Sequence, residues 1–489
     1  MCLVVALLVL PVSTFPATEG FSFDRYEIIT GAAYRQTVLP GYLLGGPVAE
    51  LIVVSIDKDD HRRLRIFAFD DGAWAPILDM TLRPGVLFVD VANIGGRDRL
   101  IMYERGRLNW FDPETATEHP LVAVTSIYNA PMKGEVPHLD VTRDVNADGR
   151  DDLLVPDFDG YSVFIQTSAG GFADPVKLGP GAEMGMTVES NPWYQARPFH
   201  QLDYNRDGRS DLVFWNEDHF EVHYQDEHGL MDPVAKTYTP AVEFDSDGIY
   251  SITLGDTSEE EDTRQKVLHS LSDLNGDGVA DIVTFTLEGK SLFGKRSAYE
   301  VHFGKPTPDG GTVFASEFDT VLRSDGIQFE MEQHDFDGDG QLDMMITSFE
   351  LGIGSIIRTL LTGSISLDLE FYRLEGGVYP DKPNVTRKIR AEFDFSTGNT
   401  FVPSVLIADL NNDGRSDLLV QENLEELRIF VGVPGPDLFS RRPQKFPVAM
   451  PDDEEYTWLV DLNKDGRPDL LMHHRSTTQS HRITMLINR

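Results

Sequence analysis

The chain has 489 residues and a formal charge of −38, from 42 Lys and Arg against 80 Asp and Glu. So negative a balance excludes nucleic acid as a partner, because phosphate binding rests on clustered basic side chains. With 41% hydrophobic and 10% aromatic residues there is ample material for a packed core, which excludes an acidic disordered chain.

Cys2, the only cysteine, precedes an apolar run from Leu3 to Val12 that ends in Ser13, Thr14, Pro16 and Ala17. This pattern predicts an export signal over 1–19, although no basic residue leads it. The mature chain would then hold no disulfide and would be secreted, periplasmic or displayed at the cell surface. No later segment reaches about 18 uninterrupted apolar residues, so no integral membrane span is expected.

After a strand-like stretch, Phe21 to Thr30, the chain becomes repetitive. A weak first copy, GGPVAELIVVS, keeps Gly45, Gly46 and Glu50 ahead of an apolar strand. A second, DVANIGGRD from Asp90, keeps Gly95 and Asp98 and runs into Leu100, Ile101 and Met102. Six full copies follow, with oxygen side chains at positions 1, 3, 5 and 9. They are DVNADGRDD (Asp144, Asn146, Asp148, Asp152), DYNRDGRSD (Asp203, Asn205, Asp207, Asp211), DLNGDGVAD (Asp273, Asn275, Asp277, Asp281), DFDGDGQLD (Asp335, Asp337, Asp339, Asp343), DLNNDGRSD (Asp409, Asn411, Asp413, Asp417) and DLNKDGRPD (Asp461, Asn463, Asp465, Asp469). Their starts lie 59, 70, 62, 74 and 52 residues apart, the period of a propeller blade or a solenoid coil.

Hard oxygen ligands at alternating positions, bent by a glycine at position 6, are what Ca²⁺ requires of a loop, since it takes six to eight oxygens. Up to six Ca²⁺ ions are therefore expected. The Asp335 loop carries Asp337 where the others have Asn, and the extra charge predicts the tightest site.

Each repeat has one internal pattern. A short apolar strand enters the acidic loop (Leu406 to Ala408), a second leaves it (Leu153 to Val155), and a third alternates (Tyr161, Val163, Ile165). A Gly-rich turn ending in Pro then leads to a fourth, as in Gly171-Phe172-Ala173-Asp174-Pro175. Four-strand meanders of this kind hide their edges by closing radially, giving an all-β propeller over 20–489. The last repeat stops at Arg489 without a fourth strand, which Phe21 to Thr30 can supply. One insertion, 350–395, breaks the pattern. Ile353, Ile356, Ile357, Leu360 and Leu361 predict an amphipathic helix, Ile365 to Phe371 a strand, and YPDKPNVTRKIR, from Tyr379 to Arg390, a basic loop able to dock a partner.

The repeated D-x-[ND]-x-D-G-x-x-D ahead of an apolar strand resembles the FG-GAP/VCBS repeats that build the propeller of integrin α subunits and of many secreted bacterial proteins. The resemblance implies that each loop joins two strands of one blade. It also implies that the position-7 carbonyl completes the Ca²⁺ site, here from Arg150, Arg209, Val279, Gln341, Arg415 and Arg467. Eight blades are expected, with seven, as in integrins, the alternative.

Catalytic motifs are not evident: there is no G-x-S-x-G, no phosphate loop and no zinc-spaced His pair. His200, His269, His334, Glu332 and Arg143 lie just before acidic loops, where satisfied structural polar groups are the plainer expectation. The sequence therefore predicts a secreted or periplasmic calcium-binding scaffold for an extracellular or envelope protein or glycan. The alternative is a calcium-dependent polysaccharide-active enzyme such as a lyase. Glu259-Glu260-Glu261-Asp262 and the insertion are the expected recognition segments.

Overall fold

The computed structural model describes residues 20–31, 35–57, 59–186, 192–247, 263–289, 295–308, 310–324, 326–350, 359, 362–394, 399–475 and 481–489. Eight sheets follow one another along the chain, antiparallel but for one short parallel strand in blade 5. Blade 1 comprises Arg35–Gly41, Glu50–Ile56, Arg62–Asp70 and Ala73–Thr81, and blade 2 Phe88–Asn93, Asp98–Glu104, Arg107–Asp112 and Thr117–Ala123. Blade 3 is built from Thr142–Arg143, Asp152–Asp157, Gly160–Phe164 and Val176–Leu178, and blade 4 from Phe199–Leu202, Asp211–Asn216, His219–His223 and Lys236–Tyr238. In blade 7 the strands are Val405–Ala408, Asp417–Asn423, Glu426–Phe430 and Gln444–Pro447.

Two blades gain a fifth strand. Ser246–Asp247 joins blade 5 in parallel with Thr263–Ser272, which leads on to Asp281–Gly289, Arg296–His302 and Thr320–Arg323. Asn399–Phe401 extends blade 6 beyond Ile327–His334, Asp343–Phe349, Ser364–Tyr372 and Val385–Asp394.

Blade 8 closes the ring as the sequence predicts. Thr457–Val460, Asp469–His473 and Arg482–Asn488 take their fourth strand, Phe23–Ile29, from the other end of the chain, in register from Phe23 opposite Asn488 to Ile29 opposite Arg482.

The core lies between blades, because the second strand of a blade is buried on both faces. Leu51 and Val53 pack toward blade 8, while Ile52 and Val54, pointing the other way, pack toward blade 2. Leu418 and Val420 likewise face blade 6, and Leu419 faces blade 8. These are the near-continuous apolar runs expected of strands buried on both sides. Eight such clusters occupy the eight interfaces. First strands of neighbouring blades approach one another, as Phe199–Leu202 does Thr263–Ser272, which places them innermost.

The insertion requires a correction. Its basic half is a strand rather than a loop: Val385–Asp394 pairs with Ser364–Tyr372, Leu367 opposite Ile389. Alternation explains why, since Ile389 and Ala391 face the packed side while Lys388 pairs with Asp368 at 2.9 Å. The Arg387 guanidinium lies 3.8 Å above the ring of Phe430 in blade 7. Arg387 thus joins blade 6 to blade 7 and Lys388 is paired within blade 6, which removes most of the basic docking loop. The predicted helix around Ile353 to Leu361, the expected signal at 1–19 and Glu259 to Asp262 lie outside the described residues.

Candidate metal centre

Every acidic loop joins the first two strands of its blade, so all six sit at one end of the ring. Local chemistry preforms them. The position-1 carboxylate accepts the position-6 N–H in each: Asp144 from Gly149 (2.8 Å), Asp203 from Gly208 (2.7 Å), Asp273 from Gly278 (2.8 Å), Asp335 from Gly340 (2.9 Å), Asp409 from Gly414 (2.7 Å) and Asp461 from Gly466 (3.0 Å). These glycines all have φ between 77° and 85°, a region that a side chain makes costly. The position-5 carboxylate accepts the position-7 N–H, from Arg150, Arg209, Val279, Gln341, Arg415 and Arg467 to Asp148, Asp207, Asp277, Asp339, Asp413 and Asp465. At position 3, Asn146, Asn205, Asn275, Asn411 and Asn463 accept the position-5 N–H through their side-chain oxygens.

Position 9 does something the sequence did not disclose. Asp152, Asp211, Asp281, Asp343, Asp417 and Asp469 are fully buried, and each bridges two parts of its blade. One oxygen accepts the N–H of position 2 (Val145, Tyr204, Leu274, Phe336, Leu410, Leu462). The other accepts an N–H at the end of the third strand (Gln166, Gln225, Gly304, Leu374, Gly432, Asn488). Burial pushes these carboxyls up, Asp152, Asp281 and Asp343 to about 7 and Asp211, Asp417 and Asp469 to about 6, against the pull of these bonds and with help from the loop's other acids. Except for Oδ2 of Asp211, which also accepts the Asn205 N–H at 3.4 Å, each of these oxygens keeps a second lone pair.

Blade 6 provides the sharpest test of fit to a cation. Ligand atoms of Asp335, Asp337 and Asp343 lie within 4.8 Å of one another, and Oδ1 of Asp337 is buried with no hydrogen-bond partner. An orphaned carboxylate oxygen among other carboxylates is the donor set a hard divalent cation fits. The weaker copies have diverged. Glu50 accepts the Leu44 N–H at 3.0 Å, keeping part of the brace, whereas Asp90 turns to the His138 ring (3.0 Å) and the Val141 N–H (2.9 Å) of the connection to blade 3. A further acidic cluster, Asp57, Asp59 and His61, is satisfied internally, Asp57 accepting from both other N–H groups and from the His61 ring.

The loops also touch one another. Leu342 N–H donates to Leu274 O (2.7 Å), Ser416 N–H to Phe336 O (3.0 Å), and Ala49 N–H to Leu462 O (2.8 Å), each from one blade's loop region to the preceding blade's.

The polar residues ahead of the loops do not gather into one site. The Nδ1 of His200 accepts the Leu271 N–H of blade 5 (3.3 Å), His269 lies edge-on to Tyr299, His334 pairs with Glu332 (2.7 Å), and Arg143 covers Phe199. Burial lowers His200 and His269 to about 4, leaving them neutral near pH 7. They are structural groups.

One surface feature escaped the sequence. Between blades 3 and 4, Glu183–Met186 pairs with Pro192–Gln195 in a hairpin of its own. It leaves Met184 (68%), Met186 (61%) and Trp193 (42%) exposed, and Phe158 packs edge-on against Tyr194 at 4.8 Å. Met184 and Met186 alternate too briefly to signal a strand, and Trp193-Tyr194 reads as core. The cue available was that this segment matches no part of the repeat.

Eight meander sheets latched end to end, with an acidic loop between the first two strands of six, define an eight-bladed β-propeller. No protein-family model and no curated protein sequence matches the chain. Among solved structures it is similar to an Agrocybe aegerita lectin described as specifically recognising non-reducing terminal N-acetylglucosamine. Identity there is 14% and the TM-score 0.35, over 74% of this chain and 80% of that one. It is similar also to the Photorhabdus luminescens Tc holotoxin pore (13% identity, TM-score 0.31, 95% of this chain and 23% of that one). The third is the V. cholerae biofilm matrix protein Bap1 (11% identity, TM-score 0.32, 95% of this chain and 91% of that one). Likeness at this level does not extend to ligand or role. Among the described residues, no helix is long and apolar enough to cross a membrane.

Proposed function

We infer that this is an exported, calcium-braced binding scaffold of the FG-GAP/VCBS type, and that its ligand is a glycan held on the hairpin between blades 3 and 4. The six loops supply the brace. Position-1, -3, -5 and -9 oxygens would hold the ion, whose chemistry is to neutralise carboxylates gathered in one tight turn. The metal therefore acts on stability, and recognition falls to what the repeats do not share.

The observation that carries the ligand assignment is the packing of Trp193. Its ladder partner is Gly185, and a Cβ at Gly185 would collide with the indole. One face of the ring thus lies flat on backbone and the other faces outward. Glu183 and Gln195 project from the same side of the ladder, and Arg197 bonds to Glu183 at 2.5 Å. A flat aromatic surface edged by carboxylate, amide and guanidinium matches a pyranose, with its apolar C–H face and hydroxyl rim.

Two measurements test this. Chelation is expected to lower Tm by several degrees and added Ca²⁺ to restore it, because binding to the folded state adds RT ln(1 + [L]/Kd); identical melts would remove the brace. On a glycan panel, Trp193→Ala is expected to lose at least tenfold in affinity with its Tm unchanged. Equal binding by the variant would move the site elsewhere.

A further inference from the structure

The blade 6 loop differs from its five siblings at two places at once. Position 3 is Asp337 instead of Asn, and the residue before the third-strand N–H that meets position 9 is Arg373. Its counterparts are Ile165, Tyr224, Phe303, Val431 and Ile487. The two exchanges meet in space. Nε of Arg373 lies 2.6 Å from Oδ2 of Asp337, and the same guanidinium reaches Asp339 at 3.8 Å and Glu375 at 3.4 Å. Both partners of the closest pair are well covered, with side-chain exposures of 19% and 10%, so water screens the interaction weakly. Arginines also reach acidic loops in blades 3, 4 and 7, Arg150 to Asp148, Arg209 to Asp207 and, at 3.9 Å, Arg415 to Asp413. Those stem from position 7 and touch position 5, whereas Arg373 comes from another strand and spans positions 3 and 5.

We propose that Arg373 is a built-in cation of the blade 6 loop: it cancels the charge that Asp337 adds, and it keeps this loop braced when calcium is withdrawn. The proposal rests on the calcium reading of the loops. It reverses the expectation that Asp337 makes this the tightest site. The guanidinium is ion-paired to one oxygen of the extra carboxylate, the other, Oδ1, has no hydrogen-bond partner, and the fixed positive charge repels an arriving divalent ion. The Asp–Arg pair thus stands in for the neutral Asn of the siblings, with one difference. In the siblings of blades 3, 4 and 7 a position-7 arginine reaches position 5 alone, while here a better-covered guanidinium remains against both positions 3 and 5 once the ion leaves.

Site-resolved hydrogen exchange with Ca²⁺ titration of the full chain separates the outcomes. In wild type, amides of 335–343 are expected to stay protected in chelator while those of 144–152, 203–211, 273–281, 409–417 and 461–469 lose protection. Arg373→Leu is expected to raise Ca²⁺ affinity at the blade 6 loop about tenfold and to make its protection chelator-sensitive. The Asp337→Asn/Arg373→Leu pair, which leaves no buried charge uncompensated, should behave like the siblings. If 335–343 opens with the other loops in chelator and Arg373→Leu leaves its Ca²⁺ midpoint unchanged, the inference is overturned. If no loop responds to Ca²⁺, the calcium reading fails instead. In that case loss of 335–343 protection in Arg373→Leu, without any metal, still supports the internal brace, and its retention overturns it.

Discussion

At the residue scale, the glycines of the acidic loops divide into two kinds that the motif does not distinguish. Position-6 glycines are required by backbone angle: Gly340 has φ 84° and open space where a Cβ would project. Position 4 also has positive φ, yet it tolerates Ala147, Arg206, Asn412 and Lys464 in four loops. In the other two it is Gly276 and Gly338, because there the next loop comes too close. A Cβ at Gly338 would collide with the carbonyl oxygen of Gly414, and one at Gly276 would sit 3.1 Å from that of Gly340. Gly340→Ala is therefore expected to cost about 1–2 kcal/mol of left-handed strain. Gly338→Ala is expected to add about 1–3 kcal/mol of overpacking to the same strain. Urea denaturation of the two variants measures the difference, and equal costs would mean the loops do not press on one another. The spacing of the loops and their position-1, -3 and -5 oxygens were readable because each signal is a side-chain type at a fixed offset. The brace made by position 9 was not, because its partners are backbone N–H groups, which any residue from Gly304 to Leu374 supplies equally well.

At the element scale, the strand that closes the ring is also where buried histidines collect. His473 ends the second strand of blade 8, His474 follows it, and His481 precedes the third, which pairs with Phe23–Ile29. The Nε2 of His474 lies 3.2 Å from the Thr484 hydroxyl, and Nδ1 of His481 lies 3.3 Å from Nε2 of His473. Burial drives His474 down to about 4, with Arg482 and Arg25 adding to the shift and Glu27 opposing it. Between pH 6.5 and about 4 the unfolded chain therefore takes up a proton that the folded blade refuses. The stability this neutral histidine leaves intact above pH 6.5 is lost as pH falls toward 4, on the order of 2–3 kcal/mol. Replacing His474 by Gln is expected to narrow the loss of Tm between pH 7 and 4.5. Wild type and variant share every loop carboxylate, so the opposite-signed contribution of Asp469 and its equivalents cancels in the comparison. A gap between the two Tm values that is independent of pH would clear His474 of this role. The latch strand was legible, since a last repeat one strand short and a leading strand without a repeat complete each other. The histidines were not, because His473-His474 reads equally well as a solvated turn.

At the scale of the whole molecule, closure rests on a single non-covalent seam. Seven blades are each continuous in sequence, and only blade 8 borrows a strand across the length of the chain. Six full and two decayed copies of the acidic loop indicated eight blades, with seven the alternative, and the short-stranded meander with its unpaired end strands indicated the ring. The hairpin Glu183–Gln195 was hidden because it belongs to no repeat and its exposed methionines and aromatics look like core in sequence. The seam can be moved. The Arg489 N–H donates to Ser22 O at 3.1 Å, so Arg489 lies beside the first described residues, and in a chain made without residues 1–19 a short Gly/Ser linker can join Arg489 to Gly20. New ends can be opened at Met132–Lys133, an exposed stretch between blades 2 and 3. Every strand pair survives in such a permutant, and blade 8 becomes continuous. Blades 2 and 3 are then held by their shared apolar cluster, by the Gly95 N–H bonded to the Gln166 side chain (2.8 Å), and by that side chain's bond to Asn93 O (2.8 Å). The segment ahead of blade 3 also bridges to blade 2, with the Val89 N–H donating to Pro137 O (3.0 Å), the Leu139 N–H to Val89 O (3.1 Å) and the Thr142 hydroxyl to Val91 O (3.1 Å), so the new seam is held by a short parallel bridge rather than by an exchanged strand. The permutant is expected to fold, to melt several degrees lower and to unfold over a broader denaturant range than the native chain. Its cost is that of separating a latch from its ring, since local packing is unchanged. Equal Tm and equal m-value would show that apolar contact between blades closes the ring unaided and that the exchanged strand adds nothing to it.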